Sequence, residues 1–158
     1  MKFSLTDYSS PLTVGQYHID VVKGVRTEKF RGLVHLSDLK ANLAAMVSDP
    51  CWSSGHHSLI DFTEATLEIE SNEVLRFALA LRNQLHPSNG WLVFVAPDPT
   101  SFAFVRMLGY WSRTTERTRI FGKLGDAESW LAKNQLTQPP KVAERASISV
   151  VPKLLEAI

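Results

Sequence analysis

Cysteine, long apolar runs and an excess of charge of one sign are all scarce or missing in this chain of 158 residues. Cys51 is the single cysteine, so an intrachain disulfide is excluded and a cysteine-based zinc site is disfavoured. Seventeen lysines and arginines against sixteen aspartates and glutamates give a net charge of +1, which provides no overall field to attract nucleic acid or anionic lipid. No apolar run approaches the ~20 residues that span a bilayer, and residues 1–7 lack the apolar core of a signal peptide. We therefore expect a cytoplasmic protein without an integral membrane segment.

The residues that are present have the composition of one ordinary globular domain. Hydrophobic residues make up 44% and charged residues 21% of the chain, whose length lies within the ~100–200 residues typical of a domain. Residues 1–16 contain turn formers and little periodicity, and the register of hydrophobic residues is lost again after Gln138. We therefore predict an N-terminal arm at 1–16, a domain at 17–138 and a C-terminal arm at 139–158.

Hydrophobic periodicity inside the predicted domain changes between the patterns of strands and helices. Five segments have the pattern of β-strands, at 17–22, 27–34, 58–62, 91–96 and 119–122. The first two are separated by a short turn and predict a hairpin, and a segment of helical spacing follows each strand from the second onward. This order predicts an α/β fold with a mixed β-sheet, a leading hairpin, β-α units and helices packed on the sheet.

Four local patterns between residues 17 and 136 add a family resemblance to this element order. They are the helix that ends at Asp49-Pro50, the strand Leu59-Ile60-Asp61-Phe62, the segment from Val95-Ala96-Pro97 to Phe102 and Arg106-Met107, and the closing Ala127-x-x-Trp130-Leu131. Together they resemble the SpoIIAA-like family, which has the fold of the STAS domain of sulfate transporters and anti-sigma factor antagonists. The resemblance implies a non-enzymatic bacterial regulatory protein that acts by contact with a protein partner.

The resemblance also implies a candidate regulatory phosphosite at Ser71. In anti-sigma factor antagonists a partner kinase phosphorylates a serine in the pattern Asp-Ser-(Ser or Thr)-Gly at the start of the second helix. The matching stretch here is Glu70-Ser71-Asn72-Glu73, which keeps the serine but replaces the glycine by a bulkier acid. Nearby glutamates would repel a phosphate, and serine is a common helix N-cap. Capping is therefore the main role that we expect for Ser71, with the switch as the second interpretation.

Polar residues that follow two predicted strands form a candidate binding rim. The members are Asp61, Thr63, Asp98, Thr100 and Ser101. In open α/β sheets ligands collect at the carboxyl ends of strands. Caps and turns have the same composition, and Asp98 directly before Pro99 has the pattern of an N-cap. The sequence leaves both interpretations open, a ligand rim and a set of caps.

A small-ligand binding protein is the alternative to a protein-interaction module. Phe102 and Trp111 are aromatic residues of the third predicted helix, and Arg106 lies between them in the sequence. A pocket with aromatic walls and an arginine at its mouth holds a carboxylate or phosphate headgroup through charge-assisted hydrogen bonds. The alternative ligand is therefore a lipid or an anionic metabolite, and Arg106 joins the candidate rim.

Catalytic and metal-binding constellations are missing from the sequence. His56 and His57 are adjacent, so they point to opposite faces of a strand, and the other histidines lack metal-ligand spacing. Cys51 lies in a turn with no basic residue beside it to activate the thiol, and no glycine-rich loop follows a strand. We therefore expect no enzymatic activity, no metal and no cofactor.

Charge is unevenly distributed along the chain, which bears on assembly. Residues 61–73 contain five acids and no lysine or arginine, whereas residues 106–123 contain five bases and one acid. Such segments either orient a partner or a second copy, or are two solvated faces of different sign. Residues 147–151 alternate like a strand that cannot be stable alone. We expect a homodimer that uses the C-terminal arm or the charged faces, or a monomer whose arm covers its own sheet edge.

Overall fold

A single mixed β-sheet forms the centre of the protein. The computed structural model describes residues 14–84 and 89–139, and within them five strands form one sheet in the order β1-β2-β3-β4-β5. The strands are β1 (Gly15–Asp20), β2 (Val25–Val34), β3 (His57–Leu67), β4 (Leu92–Val95) and β5 (Thr118–Phe121). β1 runs antiparallel to β2, and every other neighbouring pair is parallel. The predicted mixed sheet with a leading hairpin is therefore confirmed.

Helices join the parallel strands, because parallel neighbours need a crossover connection. In the described ranges they are α1 (Leu36–Val47), α2 (Ser71–Gln84), α3 (Pro99–Ser112) and α4 (Leu124–Asn134). The predicted α/β class is confirmed. β1 begins inside the segment predicted as the N-terminal arm. Apart from residues 14–16 and Pro139, both predicted arms lie outside the described residues.

The first face of the sheet carries the larger hydrophobic core, beneath α1, α2 and α3. Phe62 on β3 contacts three other rings, with centroid distances of 5.5 Å to Phe30, 6.2 Å to Phe94 and 5.9 Å to Phe104. These rings come from β2, β4 and α3, so aromatic contacts join three strands and one helix. Each such pair contributes ~0.5–1.5 kcal/mol beyond the burial of apolar area.

The second face of the sheet packs against α4. Leu59, Val93 and Val95 alternate with residues of the first face, because successive side chains of a strand point to opposite sides. They pack with Ala127 and Leu131 of α4, both of which are buried. Helices therefore cover both faces of the sheet.

The edge strand β5 is attached to α4 through a cation between two indole rings. The guanidinium carbon of Arg119 lies 4.8 Å from the ring centroid of Trp91 and 5.7 Å from that of Trp130. The two indoles are 5.1 Å apart in an edge-to-face arrangement. Such cation–π contacts contribute ~0.5–2 kcal/mol each. One base of the segment 106–123 is thus used inside the chain.

The helix cap predicted at Asp98 is confirmed. Asp98 Oδ1 accepts a hydrogen bond from the Ser101 backbone N–H at 2.8 Å, and Ser101 Oγ donates to the Asp98 carbonyl at 3.1 Å. Pro99 follows as the first residue of α3, where its fixed φ suits the helix. Two members of the candidate rim therefore have a structural role as caps.

Candidate functional site

An apolar cavity of about 840 Å³ lies between the first face of the sheet and the helices α1, α2 and α3. Ligand cavities in proteins typically measure ~300–1,000 Å³. Its apolar lining comes from all three helices and three strands, and includes Phe30, Met46, Ile60, Phe77, Leu81, Phe94, Phe104 and Leu108. This cavity is the candidate functional site.

Strand register gives the cavity a polar end and an apolar body. Arg26 is the register partner of Ser58, Ser58 of Leu92, and Leu92 of Thr118, so these four residues form one row across the amino ends of β2 to β5. The next row on the same face is Glu28, Ile60 and Phe94. All seven of these residues line the cavity. Polarity therefore decreases from the strand starts toward the strand centres.

Arg26 is a buried cation at the polar end, with 3% of its surface exposed. Its Nη2 donates to Ser58 Oγ at 2.7 Å and to the His56 carbonyl at 3.4 Å, and its Nη1 donates to the Ser53 carbonyl at 3.3 Å. The guanidinium lies over the Trp52 ring, 5.6 Å from the centroid. Burial lowers the pKa of Arg26 from its ordinary value, and the nearby carboxyl of Glu28 partly opposes this. These contacts fix the position of a charge that protein interiors rarely hold.

Arg117 approaches the same end of the cavity from the other side. Its Nη1 donates to the Gly90 carbonyl at 3.3 Å. Gly90 packs directly on the start of β3, since a Cβ atom on it would lie 2.3 Å from the carbonyl oxygen of His56, the same oxygen that Arg26 contacts. Burial and then the charge of Arg26 lower the pKa of Arg117. The two arginines are therefore neighbours in space.

A second pair of arginines, Arg82 and Arg113, also lines the cavity. Burial and then the charge of Arg113 lower the pKa of Arg82. Arg113 ends α3 in the left-handed region, with φ 59° and ψ 40°. A residue with a Cβ is disfavoured there, and glycine is the usual choice. The backbone thus accepts strain at a position whose side chain reaches the cavity.

Glu28 is the one carboxyl group among the described lining residues. Burial raises its pKa, while a hydrogen bond from Asn42 Nδ2 to Glu28 Oε1 at 2.8 Å and the charge of Arg26 act in the opposite direction. Trp52 adds a further polar atom, since its Nε1 is buried and makes no hydrogen bond to any described residue. The polar end therefore combines guanidinium, hydroxyl and indole donors with one buried acid.

The candidate rim lies away from this cavity. Asp61 and Thr63 lie inside β3 and not after it, because this strand continues to Leu67. Asp61 is buried, and its Oδ1 accepts hydrogen bonds from the backbone N–H and the hydroxyl of Thr63. Thr100 and Arg106 are exposed on α3. None of the six rim residues belongs to the described cavity lining. The rim stays a prediction, with internal partners now identified for Asp61, Asp98 and Ser101.

Ser71 is exposed and is the first residue of α2, so the prediction that it caps the helix is wrong. Glu70 holds the cap position, because its carbonyl accepts the first helical hydrogen bond from the Val74 N–H at 3.1 Å. The Glu70 N–H in turn donates to Glu73 Oε2 at 2.8 Å. This half of a capping box depends on the glutamate that replaces the family's glycine. The phosphosite at Ser71 stays a prediction.

The aromatic and arginine residues that the sequence suggested for a ligand pocket are not the ones that line this cavity. Phe102 and Trp111 are exposed on α3 and do not line the cavity. The residues that sequence reasoning missed are Arg26 and Arg117 at the polar end. The sequence did contain a signal for Arg26. Residues 26, 28 and 30 are alternate positions of one strand, so Arg26 lies on the same face as Glu28 and the core residue Phe30.

The charged segments are partly engaged within the chain. Glu64 Oε2 lies 3.2 Å from Lys29 Nζ and 2.9 Å from Arg31 Nε, and Asp61 is buried. In the basic segment, Arg117 lines the cavity and Arg119 lies between indole rings. Fewer charges than the sequence suggested are therefore left to orient a second copy.

Residues 14–84 and 89–139 contain neither a metal cluster nor a membrane-spanning helix. No group of three His, Cys, Asp or Glu side chains there is arranged to hold a metal ion. None of the helices in that part of the chain has the length and hydropathy needed to cross a membrane.

Among solved structures, this chain is similar to an uncharacterized protein of the DUF3478 family from Shewanella loihica PV-4, described as having a SpoIIAA-like fold. The similarity covers 74% of this chain and 93% of the other, with 14% sequence identity and a TM-score of 0.49. Its description names the same fold as the resemblance read from the sequence. No family model and no curated protein matches this chain.

Proposed function

We propose that the protein binds a small, largely apolar molecule in the cavity on the first face of the sheet. The observation that carries this proposal is a volume of about 840 Å³ with aromatic and aliphatic walls. The space is partly open to the surface, and proteins usually bind small molecules in clefts of this size with predominantly apolar walls. Ligand binding therefore accounts for its size and its lining.

We propose a binding protein and not an enzyme. The polar groups around the cavity are tied to their neighbours in ways that hold the walls in place. Ser112 Oγ donates to the Leu108 carbonyl at 2.6 Å, and Thr118 Oγ1 donates to the Thr114 carbonyl at 2.7 Å. Together with the hydrogen bond from Asn42 to Glu28, these contacts favour a binding cavity that is preformed in the absence of ligand.

Native mass spectrometry of the protein purified from cells, before and after extraction with organic solvent, tests the proposal. We expect a bound mass that solvent extraction removes, and a melting temperature that rises again when apolar probes are added. Leu108→Trp, which fills the cavity, should abolish both effects. Leu33→Trp is the matched control, because Leu33 is half exposed at the end of β2 and does not line the cavity.

If the purified chain shows only its own mass and no apolar probe shifts its melting temperature, the cavity is not a binding site. Because Leu108→Trp risks misfolding, Leu81→Phe provides a milder reduction of the same volume. Equal probe binding by both filled variants and by the native chain would also overturn the proposal.

As a second candidate we propose the regulatory contact with a protein partner that the family resemblance implies. The supporting observation is an exposed aromatic pair on α3, where Tyr110 is 69% and Trp111 is 40% exposed and the rings are 5.2 Å apart. Exposed aromatic side chains are common anchors of protein interfaces. A partner that binds the native chain but not the Tyr110→Ser, Trp111→Ser variant, with purified components, would support this function. Equal binding of a purified partner by both would exclude this surface.

Assembly into a homodimer is part of the same second candidate. The predicted C-terminal arm lies outside the described residues, and the charged segments are partly used inside the chain. Light scattering of the full chain, in low and high salt, measures the oligomeric state directly. A dimer that dissociates in high salt would support the charged faces as the interface.

A further inference from the structure

We propose that the ligand of the cavity is an anionic amphiphile, whose carboxylate or phosphate group binds between Arg26 and Arg117 and whose apolar tail lies along the aromatic body of the cavity. This inference rests on the proposed function, because it names the ligand class of the same cavity. It places the charged group at the amino ends of the parallel strands, which is opposite to the rim predicted from the sequence.

The position of the two arginines is the first argument. Arg26 belongs to the row that crosses the amino ends of the strands, and Arg117 directly precedes Thr118 of that row. Arg26 contacts the His56 carbonyl, Arg117 contacts the Gly90 carbonyl, and Gly90 packs against that same His56 carbonyl. The two guanidinium groups therefore flank two backbone segments, at His56 and Gly90, that pack on each other at one end of the cavity.

The net charge of the lining is the second argument. The described residues around the cavity include four arginines and one carboxyl group, that of Glu28. Burial, and then a neighbouring arginine, lower the pKa values of Arg82 and Arg117, so the four guanidinium groups form two close pairs, Arg82 with Arg113 and Arg117 with Arg26. Arg26 is buried, so water screens its charge less than that of the exposed Arg113, and an anion beside it gains more than a neutral or cationic molecule.

The geometry of the donors is the third argument. Guanidinium groups bind carboxylates and phosphates through paired, charge-assisted hydrogen bonds. Ser58 Oγ, bonded to Arg26, and the buried Nε1 of Trp52 lie in the same lining.

The apolar tail follows from the rows beyond Arg26. The second row supplies Ile60 and Phe94, and Phe30, Phe62 and Phe104 lie further along the first face. A molecule that bears a charge at one end and hydrocarbon at the other matches this polarity along its whole length. A compact anion such as inorganic phosphate matches only the polar end.

Equilibrium binding of four probes to the full-length, solvent-extracted protein tests the inference. The probes are palmitate, hexadecyl phosphate, hexadecanol and inorganic phosphate. We expect one or both of the anionic amphiphiles to bind at least about 10-fold more tightly than hexadecanol, the typical contribution of a hydrogen bond to a charged group. The comparison of palmitate with hexadecyl phosphate identifies which headgroup the site prefers.

The variant Arg117→Gln should weaken binding of the preferred anion about 10-fold and leave hexadecanol binding unchanged. Arg106→Gln is the matched control, because Arg106 is exposed on α3 and does not line the cavity. Arg117→Lys is a second variant that keeps the charge but loses the planar fork, and it should show an intermediate loss.

The outcomes separate this inference from the function on which it rests. If no amphiphile binds, the proposed function itself fails. If hexadecanol binds as tightly as the anions, or Arg117→Gln weakens all probes equally, the cavity binds apolar molecules but the anionic class is wrong. If inorganic phosphate competes with palmitate and binds as tightly, the site takes a free anion and the amphiphile is excluded.

Discussion

His57 Nδ1 accepts a hydrogen bond from the backbone N–H of Trp91 at 2.9 Å, which fixes the imidazole as a bridge between the starts of β3 and β4. The other ring nitrogen, Nε2, lies 2.7 Å from the Gln135 carbonyl just after α4. Because Nδ1 accepts, Nε2 carries the proton and donates. One buried side chain thus connects two parallel strands to the helix of the second face.

Replacing this bridge should be costly. We expect His57→Ala to lower the free energy of unfolding by about 2–4 kcal/mol, because a buried N–H and a buried carbonyl both lose their partner. His18→Ala is the control, since His18 is exposed on β1 and should cost little. Urea denaturation of the two variants measures the difference, and equal midpoints would show that His57 has no such role.

Two glycine substitutions should change the free energy of unfolding in opposite directions. Gly90→Ala places a Cβ atom 2.3 Å from the His56 carbonyl oxygen and 2.9 Å from the His57 Cα, which are backbone atoms that cannot give way. We expect a loss of roughly 1–3 kcal/mol or more. Gly125→Ala, in α4 with open space around the new methyl group, should gain about 0.5–1 kcal/mol. Thermal melts of both variants check the signs, and a neutral Gly90→Ala would contradict the close packing of β3 on the loop before β4.

The buried acid Glu28 should make stability depend on pH. Its pKa in the folded protein lies above the ordinary value of 4.5, because burial disfavours the charged carboxylate. The folded state therefore holds the proton more tightly, so the stability that Glu28 contributes is complete below the unfolded pKa and is lost as pH rises through the folded pKa. Glu28→Gln keeps the acceptor for Asn42 and removes this dependence.

Denaturation of the Glu28→Gln variant and the native chain across the pH range tests this sign. We expect the two chains to be equally stable below the unfolded pKa of Glu28, and the advantage of the variant to grow as pH rises through the folded pKa. Glu68→Gln is the control for the loss of a carboxylate, because Glu68 is exposed. A variant that loses stability relative to the native chain as pH rises would refute the assignment.

The cap of α3 and the start of α2 should respond differently to alanine. Asp98→Ala removes an acceptor of the Ser101 N–H and should cost about 1 kcal/mol. Ser71→Ala should be nearly neutral, because Glu70 and not Ser71 holds the cap position. Thermal melts distinguish the two. A loss of about 1 kcal/mol for Ser71→Ala would restore Ser71 as the cap.

Replacing Arg113 by glycine should stabilise the fold and weaken ligand binding. It holds a left-handed conformation at the end of α3, with φ 59°, where glycine is unstrained. We expect Arg113→Gly to raise the free energy of unfolding by about 0.5–1 kcal/mol and to weaken binding of an anionic amphiphile. The same melts and probe titrations measure both effects, and unchanged binding would show that Arg113 is dispensable for the ligand.

Element order was predictable from the sequence because it depends on local periodicity. Each strand of the described sheet overlaps a predicted segment, although β3 extends to Leu67, five residues past the predicted end. Its outer part pairs with β2 beyond a register shift between Lys29 and Arg31. An irregularity of this kind depends on contacts between strands, which local patterns do not encode.

The cavity could not be predicted for a similar reason. Phe30, Phe62 and Phe104 were recognisable as apolar, but a pattern does not tell whether apolar side chains fill the space between a sheet and its helices. Arg26 and Arg117 are 91 positions apart in the sequence. They reach the same end of the cavity only because β2, β3, β4 and β5 lie side by side in the sheet. The predicted carboxyl-end rim followed a general rule for α/β sheets, and this cavity has its charge at the other end.

The helix α2 connects the protein surface at Ser71 with the wall of the cavity. Its 14 residues measure about 20 Å along the axis. Ser71 begins the helix on the surface, whereas Phe77, Leu81 and Arg82, about two to three turns further along, form part of the cavity wall. A ligand that displaced this wall would move α2, and the helix backbone would carry the displacement to Ser71.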